Sequence, residues 1–402
     1  MNVDELILEE AQKIQPEMIS TRRELHKNPE TGFDLDHTVL LVLKKLKEMG
    51  YQPERCGKAG VVATIGNGQG KTFLLRGDMD ALPIEEDTDL AFKSTNGKMH
   101  ACGHDTHTTM LLGAAKLLKA HEAEIKGTVK LMFQPAEEIM LGASDMIKAG
   151  VLENPHVDAG MMIHVMPGLP MDNGTLLVAN KGKALSSCDW FEIEIFGKNG
   201  HGSMPHNAID PIVPAANIHM ALMEIQTREL PADALVALTV GEFHAGNTSN
   251  VIPETAILKG TLRTYDDEMR VTIKRRMVEI AESIAKAYRC KAEVRFLAGA
   301  PTLVNDEAVV KHAERILPGV VGSEKVIAFS SLPNMGAQMG SEDFAYVSHE
   351  IPSVLLGLAA ADSRLSEPYP VHHPKLVLSE DILPYGAAAH VSMALSWLNE
   401  HQ

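Results

Sequence analysis

TVKLMFQPAEE, residues 128–138, runs from an apolar strand directly into a pair of acids. Thr128 to Phe133 has the length and apolar run of a buried strand, and Pro135 interrupts it just before Glu137 and Glu138. The same grammar extends in both directions. Upstream, Gly60–Ile65 and Thr72–Leu75 read as strands joined by the glycine-rich turn GNGQG, apolar spacing of three and four marks helices over 2–27 and 36–49, and a further helix spans about 106–122. Downstream, a helix near 141–149 precedes the apolar strand Ala159–His164. Strand-helix-strand repetition predicts an α/β architecture, a mostly buried sheet covered by helices. In such sheets ligands sit beyond the carboxyl ends of strands. Asp78 and Asp80 follow the strand ending near Leu75, Glu137 and Glu138 follow the next, and His164 closes another.

From about 185 the pattern changes. CDWFEIEIFG alternates apolar and polar positions, as a strand with one exposed face does. A helix over 209–228, strands near 235–243 and 255–263, a helix over 267–288 and the strand Lys291–Leu297 complete the order β-α-β-β-α-β, that of a ferredoxin-like unit. After Pro301 helix and strand alternate again, to a C-terminal helix at about 384–399. The expected organisation is therefore a catalytic domain with a mixed sheet, residues 1–184 plus 299–402, carrying an inserted ferredoxin-like dimerisation or lid domain at 185–298.

The chain has 402 residues, enough for two cores. Fifty-three acids against 37 bases give a net charge of −16, which argues against a nucleic-acid partner. The acidic start MNVDELILEE lacks a signal-peptide layout, and no apolar run reaches the ~18–20 residues that span a bilayer. Cys56, Cys102, Cys188 and Cys290 are widely spaced, without a disulfide framework. A cytoplasmic location with no membrane partner is expected.

Candidate chemistry lies in three short strings, CGHDTH at 102–107, PAEE at 135–138 and IHV at 163–165, with a late pair His372-His373. Cys102, His104, Glu138, His164 and one late histidine make five donors, more than one zinc ion needs, and point to a pair of cations. A lone cysteine is most often a small core hydrophobe, but Cys102 is crowded by His100, His104, Asp105 and His107. An adjacent acid pair is usually a solvated loop. In extended backbone the two side chains diverge, so one is expected as ligand and Glu137 as general base. His164 alone would read as a satisfied core histidine. Asp78 or Asp80 could orient a ligating imidazole through its second nitrogen; the alternative is a plain turn with capping aspartates. GNGQGKT fails as a phosphate loop in glycine spacing and in context, and no GxSxG elbow occurs.

These residues bring a family into view. The chain resembles the dinuclear metallo-amidohydrolases and peptidases that include aminoacylase, carboxypeptidase G and succinyl-diaminopimelate desuccinylase. It is most similar to their branch of hippurate hydrolases, auxin-conjugate amidohydrolases and N-acetyl-diaminopimelate deacetylases. The matching strings are RRELHKNPETGF (22–33), RGDMDALPI (76–84), MHACGHDTHTTMLLG (99–113), FQPAEE (133–138), GHGSMPH (200–206), NVIPE (250–254), GTLR (260–263), SEDF (341–344) and HHP (372–374). The resemblance implies Cys102, His104, Glu138, His164 and His372 as ligands of two divalent ions (Zn, Mn, Co or Ni) and Glu137 as general base. It implies His201 reaching a partner subunit's site to meet the oxyanion, and Asn250 and Arg263 binding a substrate α-carboxylate. Most of the wider superfamily has a histidine ligand where Asp78 stands, so Asp78 is left out of the set and Asp80 is taken as an orienting group. The implied activity is amide hydrolysis of N-acyl-L-amino acids by a homodimer. A metallo-carboxypeptidase or dipeptidase is the nearer alternative, and a non-catalytic metal or acyl-amino-acid binding protein the more distant one. Independently, Arg263 has strand parity opposite to Leu258 and Leu262, which turns it away from the helix-covered face.

Overall fold

Every residue of Thr72–Asp78 and of Thr128–Gln134 is buried, as strands covered on both faces must be. The computed structural model describes residues 3–169, 171–331, 339–362 and 368–402. It divides into two compact units, Met1–Ala184 with Val304–Gly336 and Asp343–Gln402, and Leu185–Leu303 with Ala337–Glu342.

The first unit contains helices α1 (Val3–Lys13), α2 (Gln15–Lys27), α3 (Asp36–Glu48), α4 (His104–Ala120) and α5 (Gly142–Lys148). Its strands begin with β1 (Glu54–Cys56), β2 (Gly60–Gly66), β3 (Thr72–Asp78), β4 (Thr128–Gln134), β5 (Ala159–Met166) and β6 (Leu176–Val178). They form one mixed sheet in the order β1-β2-β4-β3-β5, then Ser353–Ala359, β6 and Val326–Ala328. The four central strands, β4, β3, β5 and Ser353–Ala359, run parallel, so their carboxyl ends share an edge. Inward residues Phe73, Leu75, Leu131, Phe133 and Ile163 pack with Leu111 and Leu118 of α4 and with Val391 of the C-terminal helix Leu383–Glu400. Truncating one of these phenylalanines would cost about 3–5 kcal/mol. The core thus holds rigid the sheet edge from which the polar loops spring.

In the second unit the strands order as Val236–Ala245, Thr255–Thr264, Ser187–Phe196, Lys291–Ala300. In chain order that is second, third, first, fourth, the ferredoxin-like arrangement. Helices Ile212–Glu224 and Asp267–Ala287 cover one face, where Ile218, Leu222, Ile273 and Met277 meet Phe191, Ile193, Leu258 and Leu262. Asp266 caps the longer helix by accepting from the Met269 N–H. Among the described residues no helix is long and apolar enough to cross a membrane.

Candidate metal centre

The β3–β4 register sets Asp78 opposite Gln134, so the loops that follow, Met79-Asp80 and Pro135–Glu138, leave the sheet side by side. Asp80 ties them together. Its Oδ1 accepts from the Glu137 N–H at 3.0 Å and its Oδ2 from the Glu138 N–H at 3.2 Å, while Oδ1 lies 3.5 Å from His104 Nδ1. Asp80→Ala would strand those donors and should lower kcat about 10- to 100-fold, the usual loss for a partner that orients ligands. Steady-state kinetics on the folded variant checks it.

The two glutamates do not diverge. Ala136 (φ 55°) and Met140 (φ 56°) both take left-handed backbone, and the Leu141 and Gly142 N–H groups fold back onto the Ala136 carbonyl. A β-carbon at Gly142 would lie 1.6 Å from the Pro135 carbonyl oxygen, so only glycine closes this turn. As a result Glu137 Oε2 and Glu138 Oε1 each lie 3.9 Å from His104 Nε2. The expectation of divergence assumed extended backbone, and the turn removes that premise.

Cys102 and His104 flank the N-terminal end of α4. Between them Gly103 sits at φ +88°, and a β-carbon there would come 2.5 Å from Val165 Cγ2. Cys102 Sγ lies 3.4 Å from His164 Nε2. His164 donates from Nδ1 to the Val165 carbonyl at 2.8 Å, which leaves Nε2 to face the thiol. Of the late pair, His372 is the one brought in. Its N–H donates to the Ala101 carbonyl at 2.7 Å and its Nε2 lies 3.4 Å from Glu138 Oε2. His373 instead stacks on Tyr369, ring centroids 4.3 Å apart.

Overlapping donor sets result, among them Cys102/His104/His164, Cys102/Glu138/His372 and His104/Glu137/Glu138, each with its ligand atoms within 4.8 Å of one another. Both ring nitrogens of His104 and Glu138 Oε1 are buried with no hydrogen-bond partner among the described residues. Burying such groups unmet is costly, and thiolate, imidazole and carboxylate donors fit divalent transition ions. Burial, with Asp80 and Asp78 adding repulsion against the opposing His104, pushes the Glu138 carboxyl up to about 7. Burial alone would lower His104, but Asp78 and Asp80 hold it well above the ordinary histidine range. The cage is short of positive charge.

Two neighbours extend the site: Asp78, one of the two aspartates read as able to orient an imidazole, and Asp105, whose partners its own string does not name. Asp78 is the last residue of β3; its Oδ2 accepts from Arg76 Nη1 at 2.5 Å and lies 3.5 Å from His104 Nε2, and its Oδ1 meets His107 Nδ1 at 2.6 Å. Behind the ligand loop, buried Asp105 accepts from Arg22 Nε at 2.9 Å and faces His26 Nδ1 at 2.9 Å. The RRELHK string supplies both partners, but nothing in it named the acid they meet. Burial would raise the Asp105 carboxyl, yet Arg22 and His26 carry it far below the carboxylate range. Removing one partner from a buried ion pair costs about 3–5 kcal/mol, so Arg22→Met should lose that much in urea unfolding at pH 7. Because the folded pKa is depressed, this stabilisation is complete above about pH 4 and drains away as acid protonates Asp105. The gap between wild type and variant should therefore narrow below pH 4.

The remaining predicted residues lie in the second unit. His201 is exposed, on a two-residue strand paired with Val251, and its Nδ1 accepts from the Ser203 N–H at 3.1 Å. Asn250 is exposed and accepts from Thr248 Oγ1. Arg263 lies on the sheet face away from the helices, and its Nη1 donates to the Met339 carbonyl at 2.6 Å and Ser341 Oγ at 3.1 Å.

Comparison with known proteins places these features. The sequence profile of peptidase family M20/M25/M40 matches residues 74–396. IAA-amino acid hydrolase ILR1-like 4 of Arabidopsis thaliana is 38% identical over 390 residues, covering 95% of this chain and 86% of the plant protein. Thermostable carboxypeptidase 2 of Saccharolobus solfataricus is 35% identical over 407 residues, with complete coverage of both. Among solved structures, a dinuclear metal-binding peptidase of the M20 family from Bacillus subtilis aligns with a TM-score of 0.76 at 33% identity, covering 96% of this chain and 99% of that one. With the profile spanning most of its length and full-length relatives above 30% identity, this chain belongs to peptidase family M20/M25/M40.

Proposed function

We propose that this chain hydrolyses the amide bond of N-acyl-L-amino acids, releasing a carboxylic acid and a free amino acid, with Cys102, His104, Glu138, His164 and His372 holding two divalent ions. The observation that carries the reading is a second carboxylate, Glu137, fixed beside five convergent donors by Asp80 and a closed turn. Bound divalent ions supply Lewis-acid polarisation of the amide carbonyl and lower the pKa of the attacking water. Glu137 takes the proton of that water as its oxygen bonds to the carbonyl carbon. It then hands the proton to the departing nitrogen as the C–N bond breaks. Asp80 keeps Glu137 in register through its backbone N–H.

His201 meets the developing oxyanion. Since Ser203 donates a backbone N–H to Nδ1, a neutral ring carries its proton on Nε2, ready to donate. The guanidinium of Arg263 is held at one end by Met339 and Ser341, and it grips the substrate's α-carboxylate alongside Asn250. His201 serves a partner subunit's site in a cytoplasmic homodimer. Zinc suits the thiolate-imidazole donors best, with manganese, cobalt and nickel as the other ions to test.

A second reading, cleavage of short peptides, draws on similarity to the thermostable carboxypeptidase. A substrate panel after reconstitution with each metal separates the two. N-acetyl- and N-benzoyl-amino acids should exceed dipeptides in kcat/KM by at least about tenfold, or 1.4 kcal/mol at the transition state. Dipeptide preference would favour the second reading.

A further inference from the structure

β3 pairs with β5 only as far as Arg76 opposite Met162, so beyond that point this side of β5 has no strand partner among the described residues. His107 of α4 fills the gap. The Val165 N–H donates to His107 Nε2 at 3.0 Å. A backbone N–H can only donate, so Nε2 carries no proton. The ring proton must then sit on Nδ1, which faces Asp78 Oδ1 at 2.6 Å. Asp78, Asp80 and Glu137 crowd this edge, yet only Asp78 among them is bonded to His107.

The consequence passes to a metal donor. Residue 165, fixed through its N–H, uses its carbonyl to accept from His164 Nδ1 at 2.8 Å, and that bond aims His164 Nε2. Asp78 is braced in turn. Arg76 holds its other oxygen, Arg76 Nε donates to Gln134 Oε1 at 2.9 Å, and Gln134 Nε2 donates to Asp343 Oδ1 at 2.6 Å. Asp343 Oδ2 accepts from the Ala143 N–H at 2.9 Å, closing the chain on α5 just after the Glu137 turn.

We infer that His107 is a positioning residue: held as the Nδ1–H tautomer by Asp78, it locks the backbone at Val165 so that His164 presents Nε2 to the metal. The inference rests on His164 being a ligand, as proposed above. It also excludes a rival role. Asp78, His104 and His107 have donor atoms within 4.8 Å and could form a third cation site, but both His107 nitrogens are already committed.

The test is a long-range 1H–15N spectrum of histidine-labelled, zinc-loaded full chain, with the His107 signals assigned by their absence in His107→Gln. The expected result is a neutral ring protonated on Nδ1. An Nε2–H tautomer, a doubly protonated ring or a metal-shifted His107 overturns the inference. Two variants give an independent reading by chelator competition. His107→Asn places an amide near Nδ1 and keeps only the Asp78 bond; His107→Gln places one near Nε2 and keeps the Val165 bond. Zinc affinity should fall about 10- to 100-fold in the asparagine variant and less in the glutamine variant. Unchanged affinity in both, or the reverse order, contradicts the claim. Neither readout involves substrate. An absence of N-acyl-amino-acid hydrolysis would therefore sink the proposed function without touching the tautomer, and the reverse also holds.

Discussion

Glu137→Gln lowers kcat by about 100- to 10,000-fold, the range that loss of a general acid–base group produces, while KM stays near wild type. The substitution keeps the shape and the backbone bond to Asp80, removing only the capacity to accept a proton. The geometry makes cation content an essential companion measurement. Glu137 Oε2 and Glu138 Oε1 stand equally far, 3.9 Å, from His104 Nε2. Glu138 also shares a donor set with Cys102 and His372, which favours it as the ligand and Glu137 as the base. An unchanged cation content with collapsed kcat assigns Glu137 to proton transfer. A matching loss of cation would make it a ligand, and near wild-type turnover would remove the mechanism.

Cys102→Ala has the second large effect. Its sulfur belongs to two donor sets, one with His104 and His164 and one with Glu138 and His372. Deleting it weakens both at once, so cation affinity should drop by more than the 10- to 100-fold typical of an outer partner, and activity should fall with it. Burial holds the thiol well above its ordinary pKa, with Glu138 adding to the shift. Cation binding must therefore expel a proton, and affinity should weaken as the pH falls. Cys102→Ser tests the chemistry more finely. A hard oxygen in place of soft sulfur should move preference from zinc toward manganese, read by competition between the two ions. A zinc preference intact in both variants would remove Cys102 from the ligand set.

Much of this arrangement was legible in the chain. The buried strand Ala159–Met166 announces itself by its apolar run, Thr128–Gln134 by Val129 and Leu131 to Phe133 around a single lysine, and the second unit's alternation shows in CDWFEIEIFG. β3 was harder. Its last residues, Arg76-Gly77-Asp78, carry two charges and read as loop, yet they stay in the sheet because Gln134 and Asp343 meet Arg76 and His107 meets Asp78. Three-residue strands such as Glu54–Cys56 and Leu176–Val178 are too short to show a period. The candidate donors stood out because cysteine, histidine and glutamate rarely cluster without purpose, and the fold brings them within reach of one another. The convergence of Glu137 and Glu138 was not, because it depends on left-handed backbone at Ala136 and Met140, residues that seldom signal it. His107 escaped for a related reason: one of its partners is a main-chain N–H, which leaves no trace in side-chain pattern. Asp343 meets Gln134 from 209 positions away, a link that only the folded chain makes.

One physical condition underlies this chemistry: donors from separate loops of the first unit hold two divalent ions beside Glu137. Elemental analysis of the purified chain, with calorimetric titration of the metal-stripped protein, tests it directly. The prediction is uptake of two ions per chain for wild type and for Glu137→Gln, with loss of that stoichiometry in Cys102→Ala. A folded chain that takes up one ion or none, or a Cys102→Ala variant that still takes two, would contradict it.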